Sequence, residues 1–137
     1  AILGEALLEG AIPGADVEIP TTADLGADLR AWLSATAAEL GQPEGVALAR
    51  ALIEVTAADP SLGAVLNERL AAPIRQWVGE RIARAQDDGD VRADVDATVI
   101  ADQFIAMASY SALLGRPLSE ERIDATVALL LRGISGD

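Results

Sequence analysis

The segment Asp96–Gly115 reads DATVIADQFIAMASYSALLG, and its apolar residues recur three and four positions apart. That spacing is typical of an α-helix, because residues three and four apart share one side of a helix. The larger apolar positions form a stripe of Ile100, Phe104, Met107, Ser111 and Leu114, and the second stripe consists of Ala101, Ile105, Ala108 and Ala112. A helix with two apolar faces requires two packing partners.

The last predicted helix, which begins at Ser119-Glu120-Glu121, has the same double pattern. Its larger stripe consists of Ile123, Val127, Leu130 and Ile134, with Ala128 and Leu131 beside it. We therefore predict that the last two helices form the interface of a symmetric homodimer, because largely small residues allow close approach. The residues predicted at this interface are Ala101, Ile105, Ala108, Ala112, Ala128 and Leu131. The alternative is a small helical domain that buries both stripes internally.

The composition favours helices throughout the chain. Of the 137 residues, 51% are hydrophobic and only 3% aromatic. The apolar residues are mostly Ala, Leu, Val and Ile, and Ala and Leu lose little on entering a helix. The length suits one domain with a single core. We therefore predict a single all-α domain over residues 1–137, a bundle of about five to six helices.

Pro, Gly and capping residues place the first helix ends. Residues 1–11 have the pattern of the end of a helix, and residues 12–24 are expected to form a loop because Pro, Gly and Thr are frequent there. Thr22 or Asp24 can cap the next helix, which runs from Leu25 until Gly41.

The middle helices have clear starts. Pro43 suits the first position of a second helix, and Asp59-Pro60 begins a third, since Asp caps a helix and Pro lacks an N–H that would be left without a partner. Pro73 lies inside the third pattern and crowds the carbonyl of Arg69, which predicts a kink there. The alternative is that two helices meet at this point.

Charge and composition exclude several function classes. The net charge of −12 arises from 22 acidic and 10 basic residues, and such a surface repels a nucleic-acid backbone. The chain has no Cys and no His, so it lacks thiolate metal ligands, the commonest general base and the commonest metal ligand, and it cannot form a Ser-His-Asp or Cys-His arrangement. We predict no enzymatic activity, no cofactor and no membrane segment, and a cytoplasmic protein.

An acidic segment before the fourth predicted helix is a candidate metal site, since hard cations prefer clustered carboxylates. Its carboxylates are Asp87, Asp88, Asp90, Asp94 and Asp96. The spacing does not fit a calcium-binding loop, because no Glu follows in register. We interpret the segment as a turn between helices, with Asp94 or Asp96 capping the helix that follows.

A small-molecule pocket is predicted among bulky and amphipathic residues on inward helix faces. Thr and Tyr hydroxyls on largely apolar faces supply the few hydrogen bonds that such pockets use to orient a ligand. The candidate ligand-binding residues are Trp32, Thr36, Ile53, Thr56, Trp77, Phe104, Met107 and Tyr110. Each of these side chains also suits an ordinary core position.

Several segments, in this order, resemble the C-terminal domain of TetR-family transcription regulators. They are Asp28-Leu29, Pro43-Glu44-Gly45, Ala47-Leu48, Asp59-Pro60-Ser61-Leu62, Arg69–Arg75, Arg84-Ala85, Gly89–Asp96, Gly115–Leu118 and Leu129–Gly133. The resemblance covers roughly Leu25 to Gly133, and its specificity comes from order and spacing, because no single motif is specific.

The resemblance implies an all-helical domain that dimerises through its last two helices and binds a small-molecule effector in each subunit. Operator DNA would be bound only through an N-terminal helix-turn-helix domain, which we expect to precede Ala1 in the intact regulator, most simply a repressor. The alternative function is a helical homodimeric interaction module without a small-molecule ligand. An all-helical enzyme is the weakest alternative.

Overall fold

The computed structural model describes residues 21–136 and consists there of five α-helices. They are α1 (Leu25–Leu40), α2 (Pro43–Ala58), α3 (Pro60–Asp87), α4 (Ala97–Leu114) and α5 (Glu120–Ile134). The all-α prediction is confirmed. The helix end expected over residues 1–11 and most of the loop expected over residues 12–24 lie outside the described residues.

Side-chain caps start the helices where the sequence indicates them. The Ala27 N–H donates to Asp24 Oδ1 at 3.0 Å, and the Leu62 N–H donates to Asp59 Oδ1 at 3.2 Å. At α4 the structure selects Asp96, which accepts bonds from the N–H and the hydroxyl of Thr98 at 2.9 and 2.6 Å. These two bonds lower the pKa of the Asp96 carboxyl.

The third helix is continuous. It spans 28 residues with Pro73 inside it, so the alternative of two helices meeting at Pro73 is wrong. Pro73 and Arg69 are both exposed, and water can therefore bond the carbonyl that Pro73 leaves without an N–H donor. A helix of this length extends about 42 Å, which lets α3 contact both ends of the bundle.

The hydrophobic core lies between α1, α3, α4 and α5. Its most buried members, each no more than 2% exposed, are Leu29, Leu33, Val78, Ile82, Ile123 and Val127. No residue of α2 belongs to this cluster. The helix α2 instead packs beside the earlier part of α3, where Leu66 and Ala71 are buried apart from the main core.

A close approach holds α2 against α3 at Gly63. A Cβ atom added to Gly63 would lie 2.5 Å from Thr56 Cα and 2.5 Å from Thr56 Oγ1. The Cα atom belongs to the backbone of α2 and cannot rotate away. Only glycine therefore allows this separation of the two helices.

We expect Gly63→Ala to lower the free energy of unfolding by about 1–3 kcal/mol, because the added methyl group forces α2 and α3 apart. Gly79→Ala on the same helix is the matched control, since nothing lies within 4 Å of its added Cβ. That control should gain about 0.5–1 kcal/mol from helix propensity. Urea unfolding measures both, and equal stability of the two variants would contradict the close approach.

A buried ion pair connects the start of α1 to α3. Arg81 Nη2 lies 2.8 Å from Asp28 Oδ2, with side chains 3% and 1% exposed. The hydroxyl and N–H of Thr22 donate to the same carboxylate at 2.7 and 2.8 Å, and Arg81 also donates to the Thr22 carbonyl at 3.2 Å. Both charges thus have close partners, as burial requires.

The pKa of the Asp28 carboxyl reflects two opposed effects. Burial raises it, but the bonds from Thr22 and the Arg81 guanidinium together hold it below its ordinary value. A carboxyl with a lowered folded-state pKa stabilises the fold above the unfolded-state pKa of about 4. That contribution is lost as the pH falls through the folded-state pKa.

We expect Asp28→Asn to lower the free energy of unfolding at neutral pH by about 3–5 kcal/mol, because Arg81 is left as a buried charge without a counter-charge. The stability difference between wild type and variant should shrink as the pH falls below about 4. Chemical unfolding from neutral to strongly acidic pH measures it. Parallel pH profiles for the two proteins would show that the pair has no such role.

Candidate ligand-binding cavity

A cavity of about 480 Å³ lies between α2, α3 and α4. Its volume falls within the range of small-molecule pockets. The lining residues are Gly45, Leu48, Ala49, Leu52, Ile53, Thr56, Ala57, Asn67, Leu70, Ala71, Ile74, Ile105, Ala108 and Ser109. The cavity exists because α2 packs on α3 and contributes no residue to the main core.

Few polar groups reach this cavity, and none of its lining residues is charged. The Thr56 hydroxyl donates to the Leu52 carbonyl at 2.7 Å, and Asn67 Nδ2 donates to Thr56 Oγ1 at 3.1 Å and to the Gly63 carbonyl at 2.7 Å. These bonds fix the Asn67 amide, whose carbonyl oxygen stays available to accept a hydrogen bond. An apolar enclosure with a few fixed polar groups suits a small, largely apolar molecule.

Only Ile53 and Thr56 of the predicted ligand-binding residues line the cavity. Trp32 and Phe104 are each 3% exposed in the main core. Trp32 stacks on Trp77 with ring centroids 5.2 Å apart, and Phe104 lies 5.5 Å from Trp32. These aromatic rings therefore pack against one another, and none of them lines the cavity.

Three further predicted ligand contacts lie elsewhere in the described chain. Met107 packs against the core, and Thr126 Oγ1 lies 3.5 Å from its sulfur. Tyr110 is 63% exposed. Thr36 is buried, and its hydroxyl has no hydrogen-bond partner among the described residues. None of the three belongs to the cavity lining.

The residues predicted at the dimer interface are distributed between the core, the cavity lining and partly buried positions. Ala101 is fully buried in the core of its own subunit, which leaves no surface of its side chain for a second copy. Ile105 and Ala108 line the cavity. Leu131 packs partly buried against the core, and Ala128 is half-buried. The side chain of Ala112 lies outside what the structure describes.

The outer face of α4 exposes three large apolar side chains, and the exposed Asp102 and Gln103 lie on the same side of the helix. Val99, Tyr110 and Leu113 are 53%, 63% and 57% exposed, and they fall within about 60° of one another on a helix with 100° per residue. Leu129 of α5 is 75% exposed. Ile105 and Ala108 lie on roughly the opposite side of α4, so the cavity and the exposed apolar face use different sides of one helix.

Sequence reasoning missed most of the cavity lining. Leu48, Ala49 and Leu52 belong to the apolar side of α2, and Leu70 and Ile74 to that of α3. Such stripes indicate burial, but a core and a cavity wall have the same periodicity. Asn67 was the available signal, because it is an amide three residues before Leu70 on an otherwise apolar face of the helix.

Two other features are absent from residues 21–136. No group of three or more carboxylates there is arranged to hold a metal ion. None of the five described helices combines the length and the apolar character needed to cross a bilayer.

Comparisons with known proteins identify relatives. Residues 19–130 match the family model described as "Tetracyclin repressor-like, C-terminal domain". Among solved structures, the crystal structure of TetR family transcription regulator SCO0332 superposes with a TM-score of 0.71 and 30% sequence identity. The match covers 84% of this chain and 64% of that regulator, so the chain spans less than two thirds of its length. No curated protein matched.

Proposed function

The chain belongs to the family of tetracyclin repressor-like C-terminal domains, and from this premise we propose that it binds a small, largely apolar effector for a TetR-type transcription regulator. The observation that carries the proposal is the uncharged cavity of about 480 Å³ between α2, α3 and α4. Burial of an apolar ligand there is favourable, because it removes apolar surface from water.

In the intact regulator, effector binding would change operator affinity by favouring one arrangement of the DNA-binding segments over another. That segment lies outside this chain in our proposal, since the net charge of −12 opposes direct contact with DNA. We propose that the whole protein is a cytoplasmic repressor and that it has no catalytic activity.

Filling the cavity should prevent ligand binding. We expect Ala49→Leu to weaken binding of the neutral apolar dye Nile red by about tenfold, because its side chain extends into the space that the dye needs. Ala47→Leu is the matched control, since Ala47 is exposed on the same helix and does not line the cavity. Fluorescence titration gives the affinities.

Equal binding of the dye by both variants would place its site elsewhere. A protein that binds neither the dye nor any member of a broad apolar library in thermal-shift assays would favour an interaction module without a ligand, because a ligand bound only by the folded state raises its stability.

We further propose that a second copy of the chain covers the outer face of α4 and Leu129 of α5. Large apolar side chains exposed on one side of a helix favour an interaction surface, and a self-complementary face leads to a two-fold dimer. Val99, Tyr110, Leu113 and Leu129 support this interface. Ala101, Ile105 and Ala108 face into their own subunit and do not contribute to that support.

We expect the wild-type chain to sediment as a dimer at micromolar concentration and the double variant Leu113→Arg, Leu129→Arg to sediment as a monomer, because each dimer would bury unpaired charges. Ala47→Arg is the control, since Ala47 is exposed on α2, which packs on the cavity side of α4, and this variant should stay dimeric. A monomeric wild type would refute the proposed dimer.

A further inference from the structure

A second, smaller cavity adjoins the first. It has a volume of about 270 Å³ and lies where the end of α1, the start of α2 and the end of α4 meet. The lining residues are Ala37, Gly41, Val46, Arg50, Ala108, Ser111, Gly115, Arg116, Pro117 and Leu118. Unlike the larger cavity, it is lined by charged residues, and both of them are arginines.

These two arginines have no partner among residues 21–136. The described ion pairs use Arg30, Arg75, Arg81 and Arg92. The side chains of Arg50 and Arg116 make no ion pair and no hydrogen bond with the described chain, and no carboxylate lines the cavity between them. In a chain with 22 acidic residues and 10 basic ones, two free guanidinium groups at one cavity form a positive site on a negative molecule.

The local backbone keeps this site open. Gly115 ends α4 with φ +65°, and a Cβ there would lie 3.1 Å from Arg50 Nη2. The Arg116 N–H donates to the Ser111 carbonyl at 3.0 Å, which sets the direction of the chain as it leaves α4. The Gly115 backbone therefore lets the guanidinium of Arg50 pass close to the end of α4.

The two cavities share a wall. Ala108 lines both, and along α2 the residues Gly45 and Ala49 of the larger cavity alternate with Val46 and Arg50 of the smaller one. A molecule in the uncharged cavity, which Ala49 lines, is thus next to the positively charged site that Arg50, the following residue of α2, lines. A guanidinium group pairs most strongly with a carboxylate, through parallel charge-assisted hydrogen bonds.

We infer that the ligand is an amphiphile with one carboxylate, whose apolar part occupies the larger cavity and whose carboxylate binds Arg50 and Arg116 in the smaller one. This inference rests on the proposed function, because it assigns the chemical class of the same effector. It adds that the charge of the ligand contributes to its recognition.

The test compares decanoate with decan-1-ol, which has a chain of the same length but no charge. We expect wild type to bind decanoate about tenfold or more tightly than the alcohol, since a charge-assisted hydrogen bond contributes about that factor or more. The double variant Arg50→Gln, Arg116→Gln should lose that advantage and bind decan-1-ol like wild type. Calorimetric titration measures both ligands.

Arg84→Gln is the matched control, because Arg84 is exposed on α3 and has no ion pair within the described residues. It lies ten residues beyond Ile74, about 15 Å along the helix, and should leave both affinities unchanged. Where the double variant does not fold, the single variant Arg116→Gln and the salt dependence of decanoate binding by wild type replace it, since added salt weakens exposed charge pairs.

Equal affinity for the two ligands, unchanged in the arginine variants, would overturn this inference and leave the proposed function standing. So would a double variant that is less stable but binds decanoate normally, because the arginines would then serve only the carbonyl ends of α1 and α4. A protein that binds Nile red but neither decyl compound would also refute the inference alone. Failure of all three ligands would refute the proposed function with it.

Discussion

The exclusion of α2 from the main core is the constraint on which the rest of the structure depends. Four helices bury their apolar faces together, and α2 is left to pack on the first half of α3. The contact at Gly63 brings these two helices very close at one point. Further along α2, toward its start, the larger side chains of Leu48 and Leu52 face an open space, because helices that touch at one point diverge on either side of it.

The helix α3 is long enough to line this open space and also to contact the start of α1. Asn67, Leu70 and Ile74 line the cavity, and Arg81, about 10 Å further along the same helix, holds Asp28 and the backbone of Thr22. A continuous helix transmits displacement along its axis better than two separate ones, because its internal hydrogen bonds resist deformation. Pro73 is the one position inside α3 where such a bond is missing.

Local signals in the sequence predicted the helices well. Asp24, Asp59 and Ser119 accept the N–H groups that a helix start leaves free, and these short-range bonds need only neighbours in the chain. The stripes of α4 were also recognised correctly as apolar. The partner of each stripe stays a prediction, because periodicity gives the angle between two stripes on one helix but not which element covers each.

Ala101 and Ala108 show why. Small residues permit close approach, and the sequence does not distinguish approach by a second subunit from approach by α2 and α3 of the same chain. Most of the cavity lining was not predicted for the same reason, since a gap is set by how helices diverge and not by any residue type. Trp32 and Trp77, which the sequence predicts as ligand contacts, stack on each other outside the cavity lining, because two large rings pack well together.

The three sides of α4 would connect the proposed ligand site to the proposed dimer interface. Phe104 faces the core, Ala108 faces both cavities, and Leu113 lies on the outer apolar face. A close-packed helix moves as a body, because its neighbours on the core side leave no room for one face to move alone. A ligand that displaces Ala108 must therefore shift the outer face by a similar amount, and a dimer built on that face would change its geometry in response.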